Sequence, residues 1–369
     1  MKYYIIAGEA SGDLHGSNLI KALKEKDKAT KIRCWGGDLM QKAGGDLAKH
    51  YKEMAFMGFL EVIKNIPTIF KNIQFCKDDI LKFMPDAIVF IDFSGFNLRI
   101  AEWAKKQNFK TNYYISPQIW ASRESRIHKI KRTIDNMYVI LPFEKTFYEK
   151  HNYSVDFVGH PLLDAIANTS IIEENSFRSS ANLHPSKPII ALLPGSRKQE
   201  VQKMLSLMLS VIGDFNAYQF VIAGAPSLDS TFYTPFLKHK SIRLVNNNTY
   251  TLLQYSHAAL VTSGTATLET ALFKVPQVVC YKGNWLSYQI AKRIITLKYI
   301  SLVNLIMDKE AVKELIQNEL NTKNLITELI KILDGDYRIN MLDDYKLLEK
   351  KLGGKGASQK TATLLLKNV

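Results

Sequence analysis

Cysteine is scarce in this chain of 369 residues: the three present, Cys34, Cys76 and Cys280, stand singly. No two have metal-ligand spacing, and so sparse a set argues against a secreted disulfide scaffold. No run of 18 consecutive apolar residues occurs, so no membrane-spanning helix is expected. The apolar stretch at the N-terminus, Tyr3 to Ala7, is far too short for a signal peptide, and a cytoplasmic protein is expected. Long repeats and low-complexity segments are missing too. Acidic residues are in the minority, 35 against 49 Lys and Arg, which leaves a net charge of +14. That surplus favours anionic partners: nucleic acid, phosphorylated substrates or the anionic face of a membrane. It carries no information about fold.

What is present is ordinary globular composition, 46% hydrophobic and 23% charged, which excludes a disordered chain. The length suits two domains better than one core. Short apolar runs at Tyr3–Ala7, Ala87–Asp92, Thr111–Ile115 and Met137–Leu141 read as buried strands. Helix-like stretches lie between them, at Ser17–Lys28 and from about Leu98 to Lys106. After a polar linker at Asn168–Lys187 the rhythm restarts with strands at Ile189–Leu193, Gln219–Ala223, Ala258–Thr262 and Gln277–Tyr281. Strand–helix alternation of this kind implies parallel sheets covered on both faces. The expectation is therefore α/β: two doubly wound, Rossmann-like domains facing a central cleft, with ligands at the C-terminal ends of the strands. A Lys-rich tail from about Asp344, broken at Gly353-Gly354, ends in a short helix.

Four strand-to-helix loops carry chemistry. The first, Gly8-Glu9-Ala10-Ser11-Gly12-Asp13, has glycines that let backbone amides approach a ligand. Its spacing matches neither a Walker loop nor a dinucleotide fingerprint. The carboxylates Glu9 and Asp13 point to a base or a sugar-hydroxyl binder. Asp92, at the tip of a buried strand, faces the same kind of crevice, either as a general base or as a helix cap or ion-pair partner. In the second half, Gly195-Ser196-Arg197-Lys198 combines small residues with a guanidinium that can grip a diphosphate. Ser263-Gly264-Thr265 offers hydroxyls and amides for phosphate. Glu269, one turn further, is placed either for ribose hydroxyls or simply as a favourable charge in a first helical turn.

Two other segments have double readings. Trp120 to Lys131 and Arg132 hold five cations and a histidine, a solvated face or a site for phosphate or anionic lipid. Phe59, Ile63, Ile66, Phe70 and Ile73 recur at helical spacing, which marks core or an acyl-binding and membrane-touching face. Pro67 would break a single long helix through them.

These segments, in this order, resemble the lipid-A-disaccharide synthase family. The resemblance runs over roughly residues 3 to 320. It rests on Gly8–Asp13 with Gly16, Met57-Gly58 with Glu61-Val62, Ile91-Asp92 with Phe96-Asn97, and Ser116-Pro117 with Trp120 and Arg123. Leu141–Lys145 with Tyr148, Gly159-His160, Leu193–Arg197 with Glu200-Val201, Ser263–Ala266 with Leu268-Glu269, and Ala291–Arg293 running on to Leu305 complete it. It implies a glycosyltransferase-B (GT-B) fold and a metal-independent, inverting transferase without cofactors, acting on the cytoplasmic face of the inner membrane. The implied donor is UDP-2,3-diacylglucosamine and the acceptor 2,3-diacylglucosamine 1-phosphate. Residues 1–167 would form the acceptor domain and 187–340 the UDP-sugar domain, with a C-terminal helix at about 345–369 packing back on the first.

Carried onto this sequence, the family's catalytic positions fall on Asp92 and Arg197, with Asp13 kept beside Asp92 as a candidate base. Gly195, Ser196, Arg197, Ser263, Gly264, Thr265 and Glu269 would bind the donor. Gly8, Glu9, Ser11, Gly12, Asn97, Trp120 and Arg123 would meet the acceptor. Gly95 departs from many relatives, which carry a second acid there. The nearest rival on this architecture is a UDP-sugar 2-epimerase. A nucleic-acid binder would share the charge, but no recognised binding motif accompanies it. A homodimer is compatible with the reading.

Overall fold

The computed structural model describes residues 1–53, 66–170, 172–283 and 298–368. Of the segments that carry the resemblance, Met57-Gly58, Glu61-Val62 and Ala291–Arg293 lie outside these residues, as do Phe59 and Ile63 of the apolar series. The chain divides into two compact units, Met1–Asn168 with Leu352–Val369, and Thr169–Lys351.

The first unit is built on seven strands: β1 (Lys2–Ala7), β2 (Lys31–Gly36), β3 (Asp46–His50), β4 (Ala87–Ile91), β5 (Lys110–Tyr114), β6 (Asn136–Val139) and β7 (Asp156–Phe157). All pair in parallel, in the order β3-β2-β1-β4-β5-β6-β7. Every residue of β4 and all but the first of β1 are buried, because crossover helices cover both faces of a parallel sheet. One face packs Tyr4, Ile6, Ile88 and Phe90 into a core with Trp35, Ile80 and Ile100.

In the second unit, β8 (Ile189–Leu193), β9 (Gln219–Gly224), β10 (Ile242–Asn246), β11 (Ser256–Thr262), β12 (Gln277–Tyr281) and β13 (Lys313–Ile316) repeat the plan, in the order β10-β9-β8-β11-β12-β13. Strand order thus reverses beside β1 and again beside β8. The two doubly wound parallel sheets expected from the sequence are present.

Two boundaries differ from the sequence reading. The first helix spans Ala10–Lys26 and so begins seven residues before Ser17, because its early buried positions are Gly12, Asp13, His15 and Gly16, which leave no apolar periodicity to read. The polar stretch before β8 contains a helix, Glu174–Ser180, that buries Phe177 and Arg178. The Arg178 guanidinium donates to the carbonyls of His184 (2.9 Å) and Lys187 (3.1 Å), tying that stretch to the second unit.

After the helix Gly335–Lys351 the chain returns to the first unit. The Asp164 carboxylate accepts from the amides of Gly356 (2.6 Å) and Ser358 (3.0 Å), satisfying the start of the last helix, Ala357–Asn368. That helix buries Ala357, Thr361, Ala362 and Leu365 and packs on Ala10–Lys26. Replacing Leu365 with Ala should cost about 2–5 kcal/mol of local stability. Hydrogen exchange should then quicken at amides of Ala10–Lys26 and leave β8 and β11 unchanged; equal quickening in both units would refute this placement.

Candidate active site

Register brings the first two loops together. Ala7 pairs with Ile91, so Gly8 and Asp92 leave the sheet side by side at the reversal of strand order. A Cβ on Gly8 would lie 2.2 Å from the Phe93 ring, so only glycine lets the loops close on each other. Asp92 and Phe93 both adopt left-handed backbone, φ 43° and 46°, which costs on the order of 1–3 kcal/mol per residue and needs support. Support comes from below. The fully buried Asn97 amide donates to the carbonyls of Asp92 (2.8 Å) and Ile91 (3.2 Å), and the buried Tyr113 hydroxyl donates to the Asp92 carbonyl.

The half-buried Asp92 side chain is left facing Glu9. Burial, together with the neighbouring Glu9 carboxylate, pushes its pKa up to about 7. Glu9 and Ser11 are exposed, while Gly12 packs on Ala7. Asp13 has the opposite fate. It is 3% exposed, and its oxygens accept from the amides of Gly37 (2.7 Å), Met40 (3.0 Å) and Leu39 (3.1 Å), which open the short helix Asp38–Lys42. Asp13 and Asn97 therefore point into the fold, and Glu9, Ser11 and Asp92 face outward.

Trp120 is set by a further acid. Its indole N–H donates to Glu144 (3.3 Å), and its ring meets Phe143 edge-on with centroids 4.8 Å apart. Glu144 is buried and also accepts from the amides of Ile140 (3.1 Å) and Leu141 (2.9 Å), ahead of the helix Pro142–Lys150. Burial raises its pKa to about 7 against the lowering effect of these donors, and the Asp92 charge adds to the rise. Arg123 is exposed.

The second unit repeats the geometry with other chemistry. Leu193 pairs with Val261, so the loops after β8 and β11 emerge together. Gly195 has φ 103°, and a Cβ there would meet the Glu200 carboxylate at 2.4 Å. Arg197 is exposed, and no ion pair engages it among the described residues. It precedes the helix Lys198–Met208. Lys198 lies over the Phe232 ring, 5.9 Å from its centroid. Ser263 donates to the Ile300 carbonyl (3.1 Å), and Gly264 and Thr265 are exposed at the start of the helix Thr265–Leu272. Burial raises the pKa of Glu269, although Tyr250 donates to its Oε1 at 3.0 Å.

Several participants escaped the sequence reading. Tyr113 looked like a strand residue, and only parallel pairing puts its hydroxyl under Asp92. Glu144 and Tyr250 are distant in sequence from the groups they hold. A depression of about 350 Å³ beside the Ser196 loop is lined by Ser227, Ser230, Asn246 and Asn247. The Ser227 hydroxyl there donates to the Ser196 carbonyl at 3.0 Å. The polar residues that follow β9 and β10 were the available signal.

The model of the family "Lipid-A-disaccharide synthetase" matches residues 3–367. A lipid-A-disaccharide synthase of Coxiella burnetii is 37% identical over 366 residues, covering 98% of this chain and 96% of the relative. One of Trichlorobacter lovleyi is 36% identical over 372 residues, covering 99% and 97%. Among solved structures, UDP-GlcNAc 2-epimerase from Neisseria meningitidis bound to UDP-GlcNAc superposes with a TM-score of 0.70 at 14% identity, covering 100% of both chains. The calicheamicin glycosyltransferase gives a TM-score of 0.60 at 12% identity, covering 100% of this chain and 97% of that one. At such identities these two likenesses speak for the fold alone.

The Asp92–Glu9 contact has a measurable consequence. In the chain as it stands, Asp92 should titrate near 7, because its ionised form is both desolvated and opposed by Glu9. Glu9→Gln removes the opposing charge and leaves the burial, so the value should fall below about 7 yet stay above the ordinary 3.8. Carboxyl ¹³C resonances of labelled aspartate, assigned with Asp92→Asn, would report it; an unchanged titration in Glu9→Gln would refute the pairing.

Proposed function

This chain belongs to the lipid-A-disaccharide synthetase family, and we propose that it joins UDP-2,3-diacylglucosamine to 2,3-diacylglucosamine 1-phosphate with inversion at the donor's anomeric carbon. The Asp92 carboxylate takes the proton of the acceptor's 6-hydroxyl as that oxygen bonds to the anomeric carbon. The bond from this carbon to the β-phosphate oxygen breaks, and its electron pair leaves with UDP. The products are a β-1′,6-linked disaccharide 1-phosphate and UDP.

The observation that carries this reading is Asp92 itself. A half-buried carboxyl with a pKa near 7, held outward on left-handed backbone at a strand switch point, is suited to accept a proton at neutral pH. Of the two acids left open by the sequence, Asp13 is assigned a positioning role, since backbone amides already occupy its oxygens. Asn97 is likewise a positioning residue. Gly8, Glu9, Ser11, Gly12, Trp120 and Arg123 border the acceptor.

On the donor side, Arg197, with Gly195, Ser196 and the amides opening the helix Lys198–Met208, neutralises the charge gathering on UDP, so no metal is required. Ser263, Gly264 and Thr265 add donors, and the Glu269 oxygen not engaged by Tyr250 takes a ribose hydroxyl. Both lipids are delivered from a membrane surface. The +14 charge and the exposed Phe70 and Phe75 of the helix Ile66–Phe83 support peripheral contact; within that helix Ile73 faces the core. Among the described residues no helix is long and apolar enough to cross a membrane.

The test is UDP release from the donor, with and without the acceptor, in EDTA. Release should need both lipids and survive chelation. Asp92→Ala should lower kcat/KM by about 10²–10⁴-fold, and Arg197→Ala by roughly 10²–10³-fold. Because the carboxylate is the active form and its pKa is raised to about 7, kcat/KM should climb with pH through 7 and level off above. Full turnover by Asp92→Ala, or loss of activity to EDTA, would overturn this mechanism.

A further inference from the structure

Within the cationic stretch Trp120–Arg132, several charges are answered locally. Lys129 pairs with Glu102 at 2.7 Å, Lys131 donates to the His151 carbonyl at 2.8 Å, and Glu124 faces His151 at 3.0 Å. Arg123 and Arg126 have no such partner. Among the described residues no carboxylate lies within ion-pair distance of either, or of Arg99.

Two of these guanidiniums touch one loop, and the charge of the third, Arg123, bears on Arg126. The Arg126 Nη1 donates to the Ser94 hydroxyl at 3.3 Å, and the Arg99 Nη1 donates to the Gly95 carbonyl at 3.2 Å. Arg123 sits one turn from Arg126, whose amide donates to the Arg123 carbonyl at 3.0 Å. Arg126 is half-buried, and burial together with the Arg123 and Arg99 charges lowers its pKa. Like charges are thus held together, with no carboxylate among the described residues paired to them. The loop adds donors of its own. Among the described residues, no backbone carbonyl engages the amides of Ser94 and Gly95, which open the helix Ser94–Lys106, and a Cβ on Gly95 would meet nothing within 4 Å.

We infer that Arg126, Arg99 and Arg123, with Ser94 and the amides at Gly95, form a subsite for the phosphomonoester of the sugar whose hydroxyl Asp92 deprotonates. This rests on the proposed transfer and deepens it. Guanidinium forks and helix-opening amides suit a dianionic phosphate. Ser94 is two residues from Asp92. In a pyranose, the carbon bearing the 1-phosphate and the carbon bearing the 6-hydroxymethyl flank the same ring oxygen, so both groups lie along one edge of the ring. One short loop can therefore hold the anion and face the reacting hydroxyl. The subsite would select phosphorylated acceptors and set which way round the sugar lies.

The experiment measures binding and turnover of 2,3-diacylglucosamine 1-phosphate and of its dephosphorylated form, in neutral detergent micelles. The chain as it stands should bind the phosphorylated lipid on the order of 10- to 100-fold more tightly. Arg126→Ala and the exposed Arg99→Ala should each erase most of that preference, seen as a rise in acceptor KM, and Arg126→Lys should restore part of it. Thermal unfolding of each variant separates misfolding from lost recognition. No preference at the outset, or a preference that both alanine variants keep, overturns the inference. So does loss of binding to phosphatidylglycerol vesicles with the preference intact, which would make the cluster a membrane contact. A retained phosphate preference without UDP release would instead sink the proposed transfer and leave the subsite standing.

Discussion

Parallel strands joined by crossover helices leave their C-terminal ends along one edge of a sheet, and where strand order reverses, neighbouring loops turn to opposite faces. Both sheets of this chain depend on that constraint. Beside β1 it sets Gly8 next to Asp92; beside β8 it sets Pro194 next to Thr262 and the loop that follows. Each loop singled out from the sequence hangs on one of these two reversals. The rest of the first unit's site, from the buried Tyr113 under Asp92 to the short helix whose opening amides donate to Asp13, keeps its loops in place.

Asp13 and Asp92 show how surroundings, and not residue type, decide a carboxyl's use. Asp13 is the more buried, and three backbone amides donate to its oxygens. Asp92 is less enclosed but faces a second acid, with the Phe93 amide as its one stabilising neighbour, so its proton is held up to about neutrality. The first is a structural tie; the second faces outward with its pKa raised to about 7. Glu144 and Glu269 fall between the two: burial raises the pKa of each, while Glu144 holds Trp120 and the chain ahead of a helix and Glu269 accepts from Tyr250.

Fold class was legible because strands buried on both faces are dominated by apolar residues, wholly so in β4 and β8 and over most of β1 and β11. Strands β3, β10 and β13 were not, since each carries exposed or half-exposed polar residues such as Asp46, Lys49, Arg243 and Lys313 and lies toward a sheet edge. The candidate loops could be read from small residues next to charge. Which side chains turn outward could not: Asp13 and Asn97 are as polar as Asp92, and their inward direction follows from partners in other elements. Arg126 looked like one cation among several until the pairing of its neighbours set it apart.

The first unit draws on both ends of the chain, because Ala357–Asn368 completes the surface that Ala10–Lys26 offers. Synthesis from N- to C-terminus therefore cannot finish this unit first. At about 5–20 residues per second, the ribosome spends roughly ten to forty seconds making the second unit while the first waits without its last helix. During that interval the helix Ala10–Lys26, with Leu19, Ile20 and Leu23 on it, lacks its final partner. A chaperone or a neighbouring nascent chain would find its target there until Ala357–Asn368 has been made and has docked.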